Sequence, residues 1–178
     1  MINQITLLEE LGTNNILHLS GDLQSHLVGT YEKLKLWGND EHVKVAGLFH
    51  AVYGTQEFEL PLTTPTNRSY IASQIGNEAE ELVYLYCACN RKFVYPQIGL
   101  HQDVLFQDRF TDEEKVLSKK QIRELCEVTL ANELDVVDRN PSMRIKHRDW
   151  YIDLFNRFEG IVSNIGYYEF RNTFEIAA

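Results

Sequence analysis

The sequence predicts an all-α fold. Apolar residues recur at helical spacing in several separate stretches, alternating strand patterns are scarce, and glycines stand where the helical stretches stop. The first expected helix covers 2–12, with Leu7, Leu8 and Leu11 inward and Gly12 closing it before Asn14-Asn15. The second covers 22–37, with Ser20 or Asp22 as its cap and Gly38 as its end. Leu23, Leu27, Tyr31 and Leu34 make its apolar face, widened by Val28. The third covers 40–53, opened by Asp40, with Val43, Ala46, Gly47 and His50 on one stripe. Residues 54–67 read as a loop, punctuated by Gly54, Pro61, Pro65 and Asn67.

A short helix is expected over 68–76, ending near Gly76, and a strong amphipathic one over 77–90. The stripe of the latter is Ala79, Leu82, Val83 and Tyr86. Residues 91–110 have no period, and Thr111-Asp112-Glu113-Glu114 has the form of a capping box. A long helix follows over 118–138, with Ile122, Leu125, Cys126 and Thr129 inward, until Asn140-Pro141 interrupts it. The last expected helix, near 147–163, turns Trp150, Leu154, Phe155 and Phe158 inward. The tail from Gly166 is aromatic and weakly periodic.

The 178 residues are the length of one domain. Such a length buries enough surface to fold without a disulfide or a structural metal. Seventeen basic against 26 acidic side chains give a net charge of −9. That sign argues against a broad hold on nucleic acid or on an anionic membrane. The N-terminus carries no secretory pattern, and no apolar run is long enough to span a bilayer. Cys87, Cys89 and Cys126 are an odd set in apolar surroundings and read as reduced core thiols of a cytoplasmic protein. The expected partner is therefore a small molecule.

Two segments carry chemical information. One runs from His18-Leu19-Ser20-Gly21 through His26-Leu27-Val28-Gly29. The other is Ala46-Gly47-Leu48-Phe49-His50-Ala51-Val52-Tyr53-Gly54-Thr55. Each sets a histidine on the apolar stripe of a helix, and the helices are consecutive with a short connection. They should pack antiparallel and face each other's imidazoles. Two facing imidazoles can share a metal ion; they can equally be a hydrogen-bonded core pair. The hydroxyls of Tyr53 and Thr55 follow His50 directly and are candidates to line a substrate pocket beside it. Arg144-Ile145-Lys146-His147-Arg148 is a basic run at an expected helix start, read as solvated. His42 and His101 lie in polar contexts and read as surface residues.

These segments resemble the HD superfamily of metal-dependent phosphohydrolases. Ile75-Gly76-Asn77-Glu78-Ala79-Glu80-Glu81-Leu82-Val83 is similar to the segment after the HD motif in guanosine tetraphosphate hydrolases. Val128-Thr129-Leu130-Ala131-Asn132-Glu133-Leu134 is similar to the late helix that brings the final Asp. The resemblance implies a helical bundle with His26 and His50 as metal ligands. It also shows departures. Ala51 stands where the HD aspartate belongs, Asn132 where the final Asp belongs, and Gly54 and Thr55 where the hydrolases carry an acidic pair. The run His18 to Gly21, His26 to Gly29, Trp37-Gly38 and Ala46 to Thr55 is also similar to a set of small stand-alone HD-like proteins, in which Ala51 is the ordinary residue.

The expected activity is metal-assisted hydrolysis of a small molecule, phosphorylated ones included. His18 or Glu57 would act as general base and Asn132 would line the pocket. Loss of the carboxylates weighs against a resident divalent ion, manganese above all, since hard cations prefer anionic ligands; zinc or iron could still bind with Glu57, Glu59, Asp22 or His18 as a third ligand. A metal-free binding or accessory protein, or a metal-free enzyme using its histidines as acid and base, are the alternatives.

Overall fold

The side chain of Asp22 accepts a hydrogen bond from Ser25 N at 2.8 Å and so opens the first long helix of the bundle. The structure, a computed structural model, describes residues 2–13, 16–18 and 21–176; of residues 17, 18 and 21 it describes the backbone only. Ser20, the other candidate cap, lies outside the described residues. The chain begins with α1 (Ile2–Glu10) and a small hairpin of β1 (Leu17–His18) and β2 (Gly21–Asp22). Helix α2 (Leu23–Leu36) then runs to Gly38, whose φ of +77° suits a residue without a side chain. Helix α3 (Glu41–Phe49) returns against it. The two approach closely at Gly47, where a Cβ would stand 2.3 Å from Leu34 Cδ1.

A loop leads to α4 (Arg68–Ile75) and α5 (Asn77–Ala88), followed by α6 (Arg91–Val94). Helix α7 (Lys119–Arg139) packs against α2, α3 and α5, and these four helices hold the core. Leu23, Leu27 and Leu34 of α2, Leu48 and Phe49 of α3, Val83 and Tyr86 of α5, and Leu125 and Leu130 of α7 are all buried there. Pro141 opens α8 (Pro141–Lys146), where a missing N–H costs nothing; α9 (Arg148–Asn156) and α10 (Asn164–Thr173) complete the fold. Cys87, Cys89 and Cys126 are buried and unbridged. Among the described residues, no helix is long and apolar enough to cross a membrane.

The architecture is thus mainly helical, and it departs from the sequence reading in several places. Residues 105–116 form a second hairpin, β3 (Leu105–Gln107) paired antiparallel with β4 (Glu114–Val116), so the fold is not wholly α. Thr111 to Glu114 is the turn of that hairpin and the start of β4, not a capping box. Asp108 Oδ1 accepts from Phe110 N, and Asp112 takes a φ of 59°. The capping box lies at Ser118 and Gln121, each side chain bonded to the other's backbone N–H. The expected helix over 147–163 stops at Asn156, and Trp150 lies 47% exposed rather than in the core. The aromatic tail is helical as α10, with Phe170 and Phe174 buried. His42 is half-buried and bonded through Nε2 to Glu124 at 2.7 Å.

Candidate functional site

His26 comes one turn into α2, and His50 directly follows the last residue of α3. Both are buried, and the side-by-side packing of α2 and α3 brings them together. Their Nε2 atoms are 3.3 Å apart, with the rings edge to face. Each ring is fixed from behind. His26 Nδ1 donates to Asp135 Oδ2 at 2.7 Å, and His50 Nδ1 donates to the carbonyl of Gly47 at 2.7 Å. With both Nδ1 atoms engaged, both Nε2 atoms are turned to one point. Asn132 Oδ1 joins them there, 2.9 Å from His26 Nε2.

Asp135 follows Asn132 by three residues on α7, so the two side chains share a helix face. Its carboxylate is buried and also accepts from Arg139 Nε at 2.7 Å. Arg139 reaches on to the Ser25 carbonyl at 2.7 Å, which ties α7 to the start of α2. This approach requires Gly29, where a Cβ would fall 1.9 Å from Asp135 Oδ1. The corner therefore contains a carboxylate after all, behind His26 rather than at position 51 or 132.

The residues fit a divalent ion in two respects. Two imidazole nitrogens on one tetrahedral zinc, each bonded at about 2.0–2.1 Å, stand about 3.3–3.4 Å apart, the spacing of the two Nε2 atoms here. The Nδ1 partners, a carboxylate and a backbone carbonyl, are those that orient metal-bound histidines and raise their basicity. Against this, no three His, Cys, Asp or Glu side chains among the described residues form a metal-holding group, so a third donor would have to be the neutral amide of Asn132.

A cavity of about 720 Å³ opens against this corner. His50, Ala51, Thr55 and Asn132 form its floor, while His26 sits behind them. Phe58, Met143, Trp150 and Tyr151 give it an apolar wall. Opposite charges line the rest. Arg91 NH1 bonds Glu57 Oε2 at 2.5 Å and lies 4.0 Å from Glu133 Oε1. Glu133 accepts from Asn132 Nδ2 at 3.0 Å and from the Tyr151 hydroxyl at 3.2 Å. Burial pushes the Glu133 carboxyl above the ordinary range, against the pull of Arg91. Burial together with Glu133 pushes the Tyr151 phenol up as well, so it remains a donor.

Of the residues singled out in the sequence, His26, His50 and Asn132 come together. Thr55 lines the cavity, but its Oγ1 already accepts from Phe58 N at 3.1 Å. Glu57 also lines it, with its carboxylate on Arg91 rather than on a histidine. Tyr53 is not part of the cavity wall. Its hydroxyl donates to buried Glu80 at 2.9 Å, a carboxylate that Arg68 grips through two nitrogens. His18 stands in β1, and its side chain lies outside the described residues. Arg91, Glu133 and Asp135 were not foreseen. For Asp135 a signal existed: it is the acid next available on the inward face of α7 after Asn132. The basic run at 144–148 is not simply solvated, since Arg144 and Arg148 bond the carbonyls of Thr173 and Phe174, and His147 lines the cavity.

A family model described as a domain of unknown function, DUF6817, matches residues 7–91, just under half the chain. That span runs from α1 to Arg91 and contains both histidines. Asn132, Glu133, Asp135 and the cavity wall from α8 and α9 lie beyond it. No curated protein and no solved structure matches the chain.

Proposed function

We propose that the protein is an HD-like helical bundle that binds a small molecule in the cavity and hydrolyses it with a divalent ion held by His26 Nε2, His50 Nε2 and Asn132 Oδ1. One observation supports this above the others: both Nδ1 atoms are occupied, by Asp135 and by the Gly47 carbonyl, so two imidazoles present their second nitrogens to one place. Two nitrogens and one amide oxygen suit zinc or iron better than manganese. Such an ion supplies a bound water of lowered pKa and a Lewis acid for the substrate. Asp135 orients His26 and strengthens it as a donor. Glu133, whose proton is held more firmly than an exposed carboxyl's, is the acid on the cavity wall closest to Asn132 and can exchange a proton with a substrate there.

One observation favours a metal-free binding or acid–base protein instead. A second proton on His26, making an imidazolium paired with the Asp135 carboxylate, would let Nε2 donate to Asn132 Oδ1 and His50 Nε2, so the corner can be satisfied by a proton in place of a metal. Calorimetric titration of chelator-treated, untagged protein with zinc separates the two. The metal reading expects one ion per chain, loss of binding in His50→Ala, and affinity about 10–100-fold weaker in Asp135→Asn, as removal of an orienting partner gives. Absence of saturable binding, or unchanged binding in His50→Ala, overturns it in favour of the metal-free reading.

A further inference from the structure

The cavity holds a second feature that the histidine corner does not explain. Arg91 is a buried cation whose main partner is an exposed anion: its side chain is 9% accessible and that of Glu57 is 58%. Among the described residues, Arg91 Nε is buried without a hydrogen-bond partner. The guanidinium is held in place by the rings of Tyr86, 4.9 Å away, and Tyr95, 5.8 Å away. The backbone of Arg91 is held too, its N–H bonding Gln56 Oε1 at 2.9 Å. Glu57 belongs to the 54–67 loop and is the partner free to leave. A carboxylate already half in water loses little by returning to it, whereas a buried guanidinium left without an anion is costly. The Arg91–Glu57 pair is therefore one in which another carboxylate can take the place of Glu57.

The surroundings narrow the class of that carboxylate. Phe58, Met143, Trp150 and Tyr151 give the cavity that Arg91 lines an apolar and aromatic surface. Glu133 lies 4.0 Å from Arg91 NH1, so an anion bound at Arg91 also stands beside a second carboxyl, and a dianion is disfavoured there more than a monoanion. We propose that the cavity takes a small monocarboxylate with an apolar or aromatic body, whose carboxylate displaces that of Glu57 from Arg91. This rests on reading the cavity as a small-molecule site, and not on a metal.

The test is calorimetric titration of the full chain, in the presence of a chelator, with phenylacetate, phenylacetamide and phenyl phosphate. Running it without metal keeps its outcome separate from that of the metal-site reading. Phenylacetate should bind saturably, and the neutral amide about tenfold more weakly, as loss of a charge-assisted contact implies. The decisive signature is a pair of opposite signs. Glu57→Gln removes the competing anion and should tighten phenylacetate about threefold or more, while Arg91→Gln should weaken it about tenfold or more. If Arg91→Gln does not fold, Arg91→Lys, which keeps the charge and loses the fork, should still weaken binding. The substitution at exposed Glu57 gives its sign in any case. With 5-fluorotryptophan in both positions, the Trp150 resonance should move on binding and that of buried Trp37 should not. Equal binding of acid and amide, weaker binding in Glu57→Gln, or a preference for phenyl phosphate would each overturn the proposal.

Discussion

Two clusters in this molecule are built from the same three residue types. In one, Arg68 grips Glu80 through Nε and NH2 at 2.7 and 2.8 Å, and Tyr53 donates to the same carboxylate at 2.9 Å. The guanidinium lies 3.8 Å above the Tyr84 ring. In the other, Arg91 stands 4.0 Å from Glu133, Tyr151 donates at 3.2 Å, and the guanidinium is 4.9 Å from the Tyr86 ring. Each of these distances is longer in the second cluster, where the short ion pair of Arg91 goes instead to the exposed carboxylate of Glu57, and the second cluster is the one that borders the large cavity. A buried charge whose partners are complete is part of the scaffold. A buried charge with slack in its partners has capacity for something else. Composition does not separate the two; geometry does.

The largest expected effect breaks the tight cluster. Arg68→Met leaves Glu80, 3% exposed, with only a phenol to balance it. Removing one partner of a buried pair costs about 3–5 kcal/mol. Arg91→Met should cost no more than about 1 kcal/mol, because an apolar side chain replaces a cation that is incompletely bonded and Glu57 is free to enter solvent. Urea unfolding of both variants measures the contrast. Equal losses would show that the two clusters are structurally alike.

A second, smaller effect sharpens the same contrast at the histidine corner. Gly29→Ala places a methyl 1.9 Å from Asp135 Oδ1, and the carboxylate has to move. Overpacking of this kind costs about 1–3 kcal/mol. Because Asp135 holds His26 Nδ1, any zinc affinity of the proposed metal site should fall with it. The nitrogen-15 shifts of the His26 ring should change while those of His42, bonded to Glu124 elsewhere, stay put. A destabilised variant with an unchanged His26 ring would separate Gly29 from the site.

How far the sequence reaches follows from the same physics. The bundle is legible because α2 buries one repeating stripe, while α3, α5 and α7, buried on most sides over part of their length, still carry apolar residues at helical spacing. The hairpin 105–116 is not legible. Its strands are three residues long and β4 is exposed throughout, so no alternation develops. At the site, His26 and His50 are legible because a polar ring on an apolar stripe needs a reason. Asn132 came from resemblance, which fixed attention on position 132 and hid Asp135 one turn further on. Tyr53 shows how little chain proximity says about direction: it follows His50 closely, while the turn after α3 carries its hydroxyl to Glu80. Arg91 and Glu133 had no signal, since neither sits on a periodic stripe and their meeting depends on how α6, α7 and α9 pack.

The smallest expected effect concerns Glu133 and its dependence on pH. This carboxyl faces Arg91, Tyr151, Asn132 and the more distant Glu57 and His26, and His147 lines the same cavity. Burial raises its pKa above the unfolded value of 4.5, Glu57 adds to that, and Arg91 offsets part of it. A raised folded value means that the native state keeps this proton where the unfolded chain has released it. The group therefore favours folding most at pH below the unfolded value, and that contribution is lost as pH rises through the folded one. Glu133→Gln is neutral at every pH; its one oxygen can accept from Asn132 Nδ2, and its NH2 can donate to the Tyr151 hydroxyl in place of the second acceptor. Its melting temperature should exceed that of the parent at about pH 7 and converge on it at about pH 4, where both side chains are uncharged. Glu80→Gln should instead lower the melting temperature at neutral pH, because a bidentate partner of Arg68 is lost and no excess of negative charge is relieved. A parallel drop in the two variants at neutral pH would mean that Arg91 already balances Glu133 as fully as Arg68 balances Glu80. The slack in the second cluster, and the capacity for a ligand that rests on it, would then be gone.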